Sequence, residues 1–188
     1  MGNLIQSIPG QSYSTFDDRA FDHDGCIVDL GCKHWDWSNI FIGKKRVIGA
    51  DPFETTTPEG CELFQGVVGP FNGIVSMDSN HDASAISTDA FNGEGINAHM
   101  YSWKHFVKAF NIDSISILKM NIEGSEYSLL NSMDVTDFAK IDQLVVSFHD
   151  WLTPEWSIQT LAAIHLLSLN GFKVENIGPY QWHLCRRF

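Results

Sequence analysis

The sequence predicts an α/β domain built on an open, doubly wound, mostly parallel sheet with one reversed strand near an edge. Three observations predict it. Short apolar runs alternate with helically spaced segments, which calls for parallel strands joined by crossovers. The bodies of these runs are apolar while their C-terminal ends are polar, as in a sheet buried on both faces with a ligand crevice at one end. The last two runs are joined only by Gly178-Pro179, too short a link for a crossover, so the final strand must reverse.

Taken in order, residues 1–22 read as a polar leader and 23–188 as a single domain. Residues 26–30 (Cys-Ile-Val-Asp-Leu) form a first strand that stops at Gly31, and 46–50 a second that stops at Asp51-Pro52. Residues 62–68 read as a third strand, sent by the turn at Gly69-Pro70 and Asn72-Gly73 into a hairpin partner at 74–77. Trp103, Phe106, Val107 and Phe110 fall at i, i+3, i+4 and i+7, the apolar stripe of a helix. Residues 114–122 return to strand, 124–133 to a short helix and 142–148 to strand. Thr153 and Pro154 open a longer helix that Gly171 ends. Residues 172–177 and 181–187 close the chain as strands.

At 188 residues and 44% apolar content the chain can bury a real core. Its 23 acids against 12 bases leave a net charge of −11, a field that repels nucleic-acid phosphate and anionic membrane surfaces. No apolar run is long enough to span a bilayer, and the N-terminus lacks a secretory signal's basic and apolar regions. The cysteines at 26, 32, 61 and 185 show no zinc spacing, and His34 has no metal-ligand partner at helical spacing, so no metal is expected. Reduced thiols in the cytoplasm are the expectation.

The polar strand ends carry the functional signal. The first strand runs into 29–38, the second into Asp51-Pro-Phe-Glu54, the fifth into Asn121-Ile-Glu-Gly-Ser-Glu126, and the sixth into Ser147-Phe-His-Asp-Trp151. A glycine at 31 lets backbone approach a ligand closely, and an acid at 51, about twenty residues on, suits a ribose diol. That pair describes a nucleoside-bearing cofactor, a dinucleotide as well as S-adenosylmethionine. Each residue also has a structural reading: Asp29 and Asp51 as turn residues, Glu123 and Glu126 as a solvated helix start, His149 as a buried structural imidazole.

The runs Ile27-Val-Asp-Leu-Gly31, Val47-Ile-Gly-Ala-Asp-Pro52 and Leu118-Lys-Met-Asn-Ile-Glu-Gly-Ser-Glu126 resemble the FkbM family of S-adenosylmethionine-dependent methyltransferases over about 26–151. The resemblance implies a seven-stranded, Rossmann-like class I methyltransferase fold that transfers a methyl group to a hydroxyl, on a sugar or another small metabolite. It implies that Asp29, Gly31, Cys32, Lys33, Ser38, Asp51, Pro52 and Phe53 surround the cofactor. Glu123, Asn121 and His149 would face the transfer, with Glu123 or His149 as the base and His149 better matched by its ordinary pKa. This chain has Asn121 where the family usually has Asp, and Trp35 where a later glycine commonly stands. If the Trp35 indole closed the cofactor loop, the chain would be a non-catalytic binding module instead. A nicotinamide oxidoreductase fits Asp29 and Asp51 but lacks the Gly-x-Gly-x-x-Gly turn.

Overall fold

The computed structural model describes residues 2–77 and 96–187. In chain order the strands begin with β1 (Leu4–Gln6), β2 (Thr15–Asp17), β3 (Cys26–Leu30), β4 (Val47–Ala50), β5 (Cys61–Phe64), β6 (Val67–Gly69), β7 (Gly73–Met77) and β8 (Ile96–Ser102). Helix α1 (Trp103–Ala109) then leads to β9 (Ile115–Met120), α2 (Glu126–Ser132), α3 (Val135–Ala139) and β10 (Ile141–Ser147). The chain ends with α4 (Ser157–Leu169), β11 (Lys173–Gly178) and β12 (Trp182–Arg186).

Seven strands form the main sheet in the order β11-β12-β10-β9-β3-β4-β5. Strands β3, β4, β5, β9 and β10 pair in parallel, and β12 runs antiparallel to both β10 and β11. The reversed strand is therefore the last one, inserted next to the edge. Strand order turns back between β3 and β9, which makes their C-terminal ends the switch point where such sheets bind ligands.

The period-two alternation of each strand sends apolar side chains to both faces. On one face Val28, Leu30, Ile48, Leu118 and Val146 meet Trp103, Phe106, Leu129, Leu130, Phe138 and Leu167 from the helices α1 to α4. On the other, Ile27, Val47, Ile117, Val145 and Leu184 meet Phe16, Trp35, Trp37 and Phe41. No α-helix among the described residues covers this second face. An aromatic mesh does so, with Phe16 and Phe41 ring centres 4.9 Å apart and Trp37 and Phe41 5.5 Å apart. It is carried by one-turn 3-10 segments and by the β1–β2 ribbon. Each large aromatic so buried contributes about 1.5–3 kcal/mol, so short irregular segments can replace a helical layer.

The ribbon belongs to the stretch expected as a polar leader. Phe16 is fully buried, and Asp17 and Gln143 exchange two hydrogen bonds of 2.9 Å, N–H to Oε1 and Nε2 to O. The expected strand at 62–68 is two strands, because the Gly66 N–H turns back to the Phe64 carbonyl (2.9 Å) and sends β6 out of the main sheet. The expected hairpin of that strand with 74–77 is not formed either: β8 lies between β6 and β7 in a separate three-stranded sheet. Asp134 and Asp137 build a capping box that starts α3, a helix absent from the sequence expectation. Pro154 opens a 3-10 turn rather than α4 itself, and the Thr153 side chain makes no capping bond. No helix among the described residues is long and apolar enough to cross a membrane.

Candidate functional site

Register places Gly49, Asp29 and Lys119 side by side across β4, β3 and β9. Lys119 Nζ lies 2.8 Å from Asp29 Oδ1, and both side chains are buried. The ammonium also donates to the Gly31 carbonyl at 2.7 Å, which fastens the loop after β3 to β9. Asp29 thus serves as the counter-charge of Lys119 beneath the loop, with Oδ2 buried and unpartnered among the described residues. Gly31 itself has φ +78°, and a Cβ there would lie 2.0 Å from the Asn121 carbonyl oxygen, so only glycine lets the two strand ends meet.

Around Gly31 opens a cleft of about 640 Å³, its mouth included, at the switch point. Gly31 and Lys33 after β3, Asp51, Pro52 and Phe53 after β4, and Asn121, Glu123 and Ser125 after β9 line it. Asp51 accepts the N–H groups of Phe53 (2.8 Å) and Glu54 (3.1 Å) through Oδ1, so a turn orients the carboxylate. Gly66, Val67, Val68 and Met77 supply an apolar wall. Sequence reasoning missed that wall because it ran 62–68 as one strand; the Gly66 break was the available signal.

Three expected cofactor residues stand behind the cleft rather than in it. Asp29 is committed to Lys119. Cys32 is buried, with its sulfur where a Cβ on Gly49 would come within 2.6 Å, and burial pushes its thiol pKa well up. Ser38 is buried with its Oγ 3.5 Å from the Trp35 carbonyl oxygen.

Trp35, the side chain that threatened to close the site, is also outside the lining. It lies on the aromatic face over Gly49 and donates Nε1–H to the Thr56 carbonyl at 2.9 Å. His34 and Trp35 both hold positive φ, 64° and 58°. Glu54 over-determines that strained loop: Oε2 accepts the His34 N–H (2.7 Å), and Oε1 accepts the Thr55 and Thr56 N–H groups and the Thr56 hydroxyl (2.9, 2.8 and 2.6 Å). Burial acts to raise the Glu54 pKa, but the bonds from Thr56, His34 and Thr55 outweigh it and hold the carboxyl at about 2.

After β9, Glu126 caps its own loop by accepting the Ile122 and Gly124 N–H groups at 2.8 and 2.9 Å. It turns Glu123 into the left-handed region (φ 53°) and toward His149. His149 Nε2 lies 3.3 Å from Glu123 Oε2, and Nδ1 lies 3.0 Å from Glu126 Oε1, a contact too oblique for an aligned hydrogen bond. Burial acts to lower the His149 pKa, yet the two carboxylates dominate and raise it to about 10. This corrects the expectation that His149 is matched to act as a base. The two carboxylates favour its charged form over the neutral base, and it stands behind Glu123 rather than in the cleft lining. Glu123 and Asn121 are the candidate catalytic residues that the cleft exposes.

A sheet with its crevice at the β3/β9 switch point and an acid after the second parallel strand defines a Rossmann-like domain of the methyltransferase type. The model of the methyltransferase FkbM domain matches residues 26–174, and the chain belongs to that family. The crystal structure of methyltransferase FkbM from Methylobacillus flagellatus KT superposes with a TM-score of 0.52 over 87% of this chain. At 15% identity that likeness shows the fold alone, and this chain spans 43% of the length of that protein. No curated protein matches the chain.

Proposed function

We propose that the cleft binds S-adenosylmethionine and that the chain methylates a hydroxyl of a sugar or another small metabolite. The observation that carries this reading is one cleft with the Asp51 and Glu123 carboxylates on its walls and the Trp35 indole turned away from it. The donor set fits the cofactor. Asp51 is an anionic acceptor for a ribose diol, Gly31 keeps its side of the loop bare, and Phe53, Val67, Val68 and Met77 offer an apolar surface for a base. When bound, the cofactor supplies an electrophilic methyl group on a sulfonium.

The chain's own residues do the rest. The ion pair and carbonyl contacts of Lys119 hold the Gly31 loop, and alignment of reactants is worth several kcal/mol in such displacements (up to about 7–11). Glu123 accepts the acceptor's hydroxyl proton, and His149, held charged by Glu126, orients that carboxylate. The acidic balance of the chain favours a small or carbohydrate acceptor over nucleic acid or a membrane surface, and four free cysteines suit the cytoplasm. The place of Trp35 against Gly49, outside the cleft lining, supports this reading over the non-catalytic module. Titration calorimetry with S-adenosylmethionine tests the reading: micromolar binding that Asp51→Ala abolishes is expected, and no heat at millimolar ligand overturns it.

A further inference from the structure

Helix α4 is apolar on two opposite sides. Its inner side is in use: Ala163 and Leu167 are buried in the core, and Thr160 is hydrogen-bonded to Tyr127 of α2 at 3.0 Å. On its outer side Ile158, Leu161 and Leu169 are 76, 68 and 72% exposed, with Ala162 and His165 exposed between them. With about 3.6 residues per turn these five positions form one stripe, directly opposite Thr160, Ala163 and Leu167. A helix that is apolar all round is ordinarily covered all round, and this one is covered on one side.

Two features of the stripe point to a second copy of this chain as its cover. The first is charge. None of the chain's 12 bases and 23 acids lies in α4. Copies with a net charge of −11 repel each other, so they meet at least cost through a surface that carries no acid. The second is spacing. Ile158, Ala162, His165 and Leu169 follow at intervals of four, three and four, the repeat of a helix-pairing seam. That order reads the same from either end. An antiparallel pair about a two-fold axis therefore sets Ile158 against the partner's Leu169 and Ala162 against the partner's His165. Large meets large at the ends, and a methyl group leaves room for a ring near the axis. A symmetric contact of one patch with itself demands such self-matching.

We propose that α4 is the contact of a two-fold symmetric dimer, paired antiparallel with α4 of a second copy along 158–169. The exposed parts of Ile158, Leu161 and Leu169 amount to about 400 Å² of apolar surface per copy, the size at which a patch on a single chain is often functional. Two copies bring together about 800 Å², below the roughly 1,200 Å² where stable interfaces begin. The dimer is therefore reversible and forms at micromolar concentrations and above. A lipid surface is the rival cover, but interfacial helices carry lysine and arginine beside their apolar face, and α4 has neither. The dimer stands independently of methyl transfer, since the cleft lining takes no residue from α4.

Sedimentation equilibrium of the full chain from about 1 to 300 µM tests the proposal. The mass should rise with concentration from the 21.1 kDa of one chain toward twice that value. Ile158→Glu puts two acids into each symmetric contact and should weaken association more than about 100-fold, with an unchanged melting temperature at the dilute end. Adding Leu169→Lys to that chain sets a lysine against each acid across the axis, so the double variant should recover about 10-fold of the loss. A single-chain mass at every concentration overturns the proposal, as does an Ile158→Glu variant that associates like the parent. A double variant no better than Ile158→Glu overturns the antiparallel pairing. A parent chain that stays single yet sediments with phosphatidylcholine vesicles gives the stripe to a lipid surface and overturns the dimer.

Discussion

Trp35 rests on Gly49: a Cβ at position 49 would lie 2.5 Å from the indole Cη2. That missing methyl group holds the indole on the aromatic face, and the cleft on the far side of the Gly31 loop stays open. Gly49→Ala should therefore cost about 1–3 kcal/mol by overpacking and lower cofactor affinity as Trp35 shifts the loop. Thermal melting and calorimetry check both; an unchanged melting temperature and affinity would remove Gly49 from the account.

Lys119 and Asp29 are a buried pair, and removal of one partner strands the other. Lys119→Met should destabilise by about 3–5 kcal/mol, whereas Lys119→Met with Asp29→Leu should recover most of that loss. Denaturant unfolding of the three variants measures the coupling. Equal losses in the single and double variants would mean that the charge pair is not the cause.

The His149 clamp makes stability depend on pH in a stated direction. Its folded pKa, about 10, lies above the ordinary 6.5, so the folded chain holds the proton more tightly than the unfolded one. The contribution is complete below pH 6.5 and is lost as pH rises through 10. His149→Gln should be less stable at pH 6 and converge with the parent chain at high pH. Unfolding free energies across that window test it, and parallel curves would contradict the clamp.

Glu54 acts in the opposite sense. Its folded pKa of about 2 lies below the ordinary 4.5, so its contribution is present above pH 4.5 and lost as pH falls through 2. Glu54→Gln should loosen the strained His34–Trp35 loop at neutral pH and flatten the acid limb of the stability curve. Amide exchange at His34 is the direct readout, and an unprotected His34 N–H in the parent chain would refute the role.

Much of the fold was legible in the sequence because it follows from local periodicity. The alternation in 115–120, the apolar cores of 26–30 and 141–147, and the link too short for a crossover before β12 are patterns within a few residues. Strand β8 carries a similar alternation, Ile96, Ala98 and Met100 against Asn97, His99 and Tyr101, yet pairs on both sides with β6 and β7. Its pairing partners are a long-range fact that alternation does not encode. The aromatic cover of the second face was equally hidden, since Phe16 is far from Trp37 and Phe41 in the chain and meets them only once the sheet exists.

The candidate site divides along the same line. Chemical type and position at a strand end marked Gly31, Asp51, Asn121 and Glu123, all of which line one cleft. Only the assembled fold decided that Asp29 faces Lys119, that Trp35 turns to Gly49, and that two carboxylates flank His149. The sequence by itself determined which groups lie at the ends of which strands, because the chain's own repeat sets that. Their neighbours, and with them their charge and accessibility, depend on register between strands far apart in the chain, and the tertiary structure alone supplies that register.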